Sequence, residues 1–290
     1  MPARNSIRSM TATVRLVIIL GSALVFGACA AFQPPNAAGP RSNEPLYPVL
    51  LTEDSHRTEA TAAALHRLSR LPATPDGVAP QIQPVTATIA GLPERMNGLL
   101  LLPKVGATAV MTEEETRESL RRFINDWQEL IGAEPARLSL VERVDRPDGM
   151  KVANYEQRPF RYPIRGNYGK LQINFAADRR VINLSSSCIP DADQIQTALS
   201  ALNVRLKAED AVQQLREKGL VYSDPKGNTT SFTVPTSSPV NALGLTTYIL
   251  PSKARPDALE FHLAWEMELT GAPVHFVYVD AVNGDILAAE

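Results

Sequence analysis

Two cysteines, four histidines, no cluster of lysine and arginine, and no apolar stretch of membrane-spanning length: the sequence is marked first by what is scarce. One disulfide at most is possible, so the fold must rest on an apolar core. With 29 bases against 31 acids and no basic run, nothing is offered to a phosphate backbone, which excludes nucleic acid as a partner. Zinc hydrolases place two histidines one helical turn apart with a glutamate between them. His56 and His66 are ten residues apart on a predicted helix. His262 and His275 fall in predicted strands with no carboxylate or cysteine at ligand spacing, so solvated or packed histidines are expected, with no metal and no cofactor. Gly-x-Ser-x-Gly, a glycine-rich phosphate loop and Gly-x-Gly-x-x-Gly are all missing. The acids Glu113 to Glu115 are accounted for by helix capping. The expectation is a chain without catalytic residues and without enzymatic activity.

The N-terminus carries the strongest positive signal. Arg4, Arg8 and Arg15 precede the apolar run Leu16–Phe26, and the small residues Gly27 and Ala28 lead to Cys29. The run is shorter than the ~20 residues that span a bilayer, and the order of charge, apolar stretch and small residues is that of a secretory signal. The stretch before Cys29 resembles the bacterial lipobox, with Phe26 in place of the usual leucine. That resemblance implies cleavage after residue 28, a diacylglycerol on Cys29, and anchoring to a membrane by acyl chains, each buried methylene contributing about 0.8 kcal/mol. An ordinary signal with an incidental cysteine is the competing reading. Ala30, in place of aspartate, is similar to the proteobacterial signal for the outer membrane, here on its periplasmic side. Cleavage would leave 26 bases against 31 acids, net −5. Cys188 would then be the remaining thiol, expected as a packed small residue.

Five segments are expected: 1–28 signal, 29–50 lipidated tether, 51–111 an N-terminal segment, and units over 112–190 and 191–290. The tether is rich in Pro, Ala, Gly and Asn, which bury too little apolar surface to order a chain. Ser55 to Leu71 reads as a helix with Ala64, Leu65, Leu68 and Leu71 on one side, and Leu99–Leu102 as a short strand. Thr112 and Glu115 form a capping box before a helix whose stripe of Leu120, Phe123, Ile124, Trp127, Leu130 and Ile131 runs to Gly132. Strands follow at Leu138–Val144, Lys151–Gln157, Gly169–Phe175 and Val181–Ser185. The plan then repeats: helices over Asp191–Leu202 and Leu206–Lys218, the latter capped by Gly219. Strands are read at Ser231–Val234, Thr246–Leu250, Glu260–Leu269, Val274–Val279 and Asp285–Ala288, with Asn283-Gly284 as a hairpin turn. Helix then antiparallel strands, twice, is an α+β plan: two helix-on-sheet, cystatin-like units in tandem behind a disordered tether.

Two stretches resemble known modules. Ala264-Trp265, followed by Val279, Asp280, Ala281, Gly284, Asp285, Ile286 and Leu287, is similar to the PepSY module, whose opening helix Lys207–Val212 would match. Upstream, Pro163, Ile164 and Gly166 before the strand at Gly169 resemble the fungalysin/thermolysin propeptide module, with Arg161 where that pattern has glycine. In secreted thermolysin-like metalloproteases these modules assist folding of the catalytic domain and inhibit it. The resemblance implies a membrane-tethered inhibitor or folding helper acting on such a protease in trans. Ile286, Leu287 and Glu290 would be the partner contacts, the apolar end occupying the cleft like a product. A last strand with a frayed tip is the plainer reading of that end, with Asp280 and Asp285 serving the turn and Trp265 the core. The alternative function is an interaction lipoprotein of the envelope with no protease partner.

Overall fold

A computed structural model describes residues 45–71, 77–108, 110–158, 160–224 and 226–290. Cys29, the signal and most of the tether lie outside them. The fold is α+β, with two main antiparallel-rich sheets and helices α1 (Ser55–Ser69), α2 (Glu113–Asp126), α3 (Gln128–Ile131), α4 (Ala192–Ser200) and α5 (Ala208–Leu215). The tether span runs into the fold, because β1 begins at Val49.

The first sheet has the order β4-β9-β8-β6-β5, from β4 (Leu100–Leu101), β5 (Leu138–Asp145), β6 (Met150–Gln157), β8 (Lys170–Ala176) and β9 (Arg180–Ser186). Alternation sends Leu171, Ile173 and Phe175 to one face, where α1, α2 and α3 cover them with Leu68, Leu120, Phe123, Ile124 and Ile131. The capping box forms as read: Thr112 N donates to Glu115 Oε2 at 2.7 Å and Glu115 N to Thr112 Oγ1 at 3.3 Å. The expected single helix to Gly132 breaks at Trp127, which leaves helical geometry at φ −119° and packs half-buried under the Arg67 guanidinium. Small hairpins β2 (Gln81–Ile82) with β3 (Ile89–Gly91), and β10 (Gly219–Ser223) with β11 (Thr229–Thr233), complete the periphery. Gly219 therefore starts a strand and does not cap α5, which ends at Arg216, with Glu217 taking the positive φ.

The second sheet runs β15-β14-β13-β12-β7, from β7 (Ile164–Arg165), β12 (Val240–Pro251), β13 (Ala258–Leu269), β14 (Phe276–Asp280) and β15 (Ile286–Ala289). β1 (Val49–Thr52) joins β13 over Ala258–Phe261, and β14 joins it over Ala264–Glu268, while β12 pairs along nearly its whole length. Helices α4 and α5 cover one face, through Ile195 and Leu199 against Phe261, and Ala211 and Leu215 against Met267 and Val279.

Segment 164–165 lies within the first predicted unit but runs parallel to β12 in the second sheet. Residues 45–290 accordingly form one compact unit. Gly166 ends that excursion at φ +85°, where a Cβ would lie 2.8 Å from the Ile249 carbonyl oxygen. Gly149, in the β5–β6 turn, has φ +80° with open space around it. Both glycine-to-alanine variants meet the left-handed penalty, about 1 kcal/mol, but G166A adds a clash of about 1–3 kcal/mol. Urea unfolding should show G166A falling well below G149A in midpoint; equal midpoints would mean that β7 does not hold its close seat on β12.

Candidate functional site

Strands β14 and β15 form the closing hairpin. Asp280 N donates to the Asp285 carbonyl and Gly284 N to the Asp280 carbonyl, with Gly284 at φ +82° and Asn283 at an ordinary φ, so one residue supplies the turn's left-handed step. The three predicted contacts come together here. Ile286 lies opposite Val279 and keeps 37% of its surface exposed. Leu287 turns half-buried toward Tyr248 and Tyr278, whose rings lie 4.5 Å apart. Glu290 is tied at both levels: its N–H donates to the Phe276 carbonyl at 2.8 Å, and its Oε1 accepts from the Tyr248 hydroxyl at 3.0 Å. The end of the chain is thus a paired strand, not a projecting tail. β10 lies near β15 without pairing to it.

The hairpin is held by a carboxylate with no exposed surface. Asp280 Oδ1 accepts from the backbone N–H groups of Val282 and Asn283 at 2.8 and 3.1 Å, which shapes the turn as expected. Its Oδ2 accepts from the Tyr47 hydroxyl at 2.6 Å and faces His262 Nδ1 at 2.7 Å. His262, itself buried, presents Nε2 to Glu260 Oε2 at 3.2 Å, and Glu260 Oε1 accepts from Ser252 at 2.6 Å. The imidazole thus stands between two carboxylates, one at each ring nitrogen. Burial and the Asp280 charge hold the Tyr47 phenol protonated, far above its ordinary range.

The sequence reading looked for carboxylates at ligand spacing from His262 and did not anticipate the two that meet its ring as hydrogen-bond partners. Glu260 was legible, since residues i and i−2 of a strand share a face. Asp280, across the sheet, was not, and neither was Tyr47 in a segment read as tether. His275 is exposed and does not meet His262, and His56 and His66 are exposed on α1.

A second network crosses the same face. Arg165 on β7 forks onto Glu266 at 2.7 and 2.9 Å, and the Tyr278 hydroxyl donates to Glu266 at 3.4 Å. Trp265, on the opposite face, donates from Nε1 to the Leu206 carbonyl at 2.9 Å, fastening the entry to α5. These groups are hydrogen-bonded to one another, an arrangement suited to holding shape. Among the described residues no group of His, Cys, Asp and Glu has metal-holding geometry. A cavity of about 440 Å3 lies elsewhere, among α1, α3 and the first turn of α4, and is lined by the ion pairs Arg57–Asp191 and Arg137–Asp193. Cys188 is fully buried beneath the first sheet, and burial pushes its thiol up to about 12.

No family model matches the chain, and no curated protein matches it.

Two outcomes are expected. Tyr47→Phe should lower stability by about 1.5–3 kcal/mol, the usual range for a bond to a charged group, and Asp280→Asn, which sets a donor against donors, by about 3–5 kcal/mol. Losses near zero in chemical denaturation would show that the network is not what holds the hairpin. Cys188 should resist iodoacetamide at pH 8 in the folded chain and react once urea unfolds it; fast native alkylation would contradict its burial.

Proposed function

We propose that the chain is a membrane-tethered binding protein without enzymatic activity, an inhibitor or folding helper of a thermolysin-like metalloprotease in the bacterial envelope. The two helix-covered sheets are read as two cystatin-like units, the first similar to the fungalysin/thermolysin propeptide module and the second to PepSY. The observation that carries the reading is the closing hairpin. Val279, Asp280, Ala281, Gly284, Asp285, Ile286 and Leu287, the residues that match the PepSY pattern, form one strand–turn–strand with Asp280 as its hub. Acylated Cys29 would fix the protein to the outer membrane on its periplasmic side, with residues 30–44 as the spacer.

The contact differs in form from an inserted tail. β15 ends its sheet, so its outer edge can pair with an extended wall of a protease cleft while Ile286 offers the exposed apolar side chain. Leu287 and Glu290 act behind it, through Tyr248, to keep the edge in place. A second reading, an interaction lipoprotein with no protease partner, is favoured by how fully residues 286–290 are used within their own sheet.

The purified chain at ~10–100 μM, concentrations that reveal binding of about −5 to −7 kcal/mol, should slow peptide hydrolysis by thermolysin-like proteases or speed their refolding. Ile286→Asp should weaken the effect about tenfold without lowering the chain's melting temperature. No effect on several such proteases, with a cross-linking pull-down dominated by cell-wall or assembly proteins, would favour the second reading. Cys29→Ala should release the chain to the soluble fraction; continued membrane association would count against acylation.

A further inference from the structure

The other sheet also ends in an open edge. β5 pairs with β6 alone, so the backbone N–H and C=O groups on its outer side have no strand partner among the described residues. Beside this edge runs a groove of about 290 Å3 between α2 and β5. Its floor is apolar: Ile124 from α2, Leu138 and Leu140 from β5, and the ring of Tyr155 from β6. Its wall is Arg117 and Arg121, one helical turn apart on α2, with side chains 62% and 58% exposed.

The charges around it are unevenly matched. Arg117 pairs with Glu113, Arg121 and Arg122 share Glu118, and Arg143 and Lys151 share Asp145. Five bases thus divide three carboxylates. The Glu118 carboxyl is drawn down to about 2 by hydrogen bonds from its two arginines. A guanidinium has five N–H donors, so Arg117 and Arg121, both lining the groove, have more donors than the bonds they make to Glu113 and Glu118.

We propose that this groove receives an extended acidic segment of a partner polypeptide, added to β5 as a sixth strand. Residues two apart in a strand share a face. An apolar side chain would therefore lie on Leu138, Leu140 and Tyr155 while a carboxylate two positions away meets Arg117 and Arg121. A bulge between Leu140 and Glu142 limits the pairing to the first part of β5, so the complex is short and depends on the arginines. A second copy of the chain is disfavoured as occupant, since it would set two arginine-lined edges against each other. This surface belongs to the first sheet and stands independently of the protease reading, which concerns β15.

The test uses the full chain in detergent and two labelled synthetic peptides of about eight residues. One alternates threonine with isoleucine and glutamate on the same face; the other has lysine for glutamate. The glutamate peptide should bind at least about tenfold more tightly, a difference of about 1.4 kcal/mol, and lose affinity as salt is raised. Hydrogen exchange should slow in the first part of β5, up to the bulge after Leu140, and the R117E/R121E variant should reverse the preference. Should that variant unfold, R117A alone should still weaken glutamate-peptide binding severalfold. Equal binding of the two peptides, protection at 286–289 in place of β5, indifference to both variants, or a β5-protected dimer that excludes peptide would each overturn the proposal.

Discussion

A carboxylate sealed from water must be saturated with donors, and Asp280 is sealed. An isolated buried charge costs many kcal/mol, which only well-placed hydrogen bonds offset. Its four contacts come from three separate parts of the chain: the hydroxyl of Tyr47, the imidazole of His262, and two amides of its own turn. Each has to be positioned for the others to form. His262 lies in β13 between Phe261, which faces β1, and Ala264, which faces β14. The carboxylate therefore sits at the seam where two strands abut on one edge of the sheet, and it fastens both.

The polar face of the second sheet is committed to such internal bonds and the helix-covered faces of both sheets to core, while each sheet keeps an end strand with no strand beyond it among the described residues. β15 is an apolar, uncharged edge whose inner side is braced by Tyr248 and Glu290. β5 is a charged, bulged edge beside two arginines. They lie in different sheets and differ in chemistry.

Local chemistry was readable from the sequence, and distant pairing was not. The capping box at Thr112 and Glu115, the alternation in Lys170–Phe175 and the turn at Gly284 depend on neighbours within a few residues, and each formed as read. β1 was hidden by its Pro- and Asn-rich approach, because what orders Tyr47 and Val49 is an edge more than two hundred residues away. β7, two residues long, has no periodicity to detect and exists through its seat on β12. Gly219 followed a helix and so looked like its end, but the strand that pairs it lies beyond the next turn. At the hairpin, the resemblance singled out Ile286, Leu287 and Glu290, and the structure places them along one strand and its end. Their bracing could not be read in advance, because Tyr248 reaches Glu290 only once the four strands β12 to β15 are aligned.

The pairing of β1 with β13 also orders events in time. Val49 leaves the ribosome long before Phe261, and Tyr47 waits for a partner 233 residues downstream. Such long-range closure slows folding, because chain entropy is surrendered before the contact rewards it. The first sheet can assemble from nearby hairpins while the N-terminal strand is still undocked. Loss of even the last dozen residues would take Asp280 away and leave Tyr47, at the other end of the described chain, without the carboxylate that fastens it.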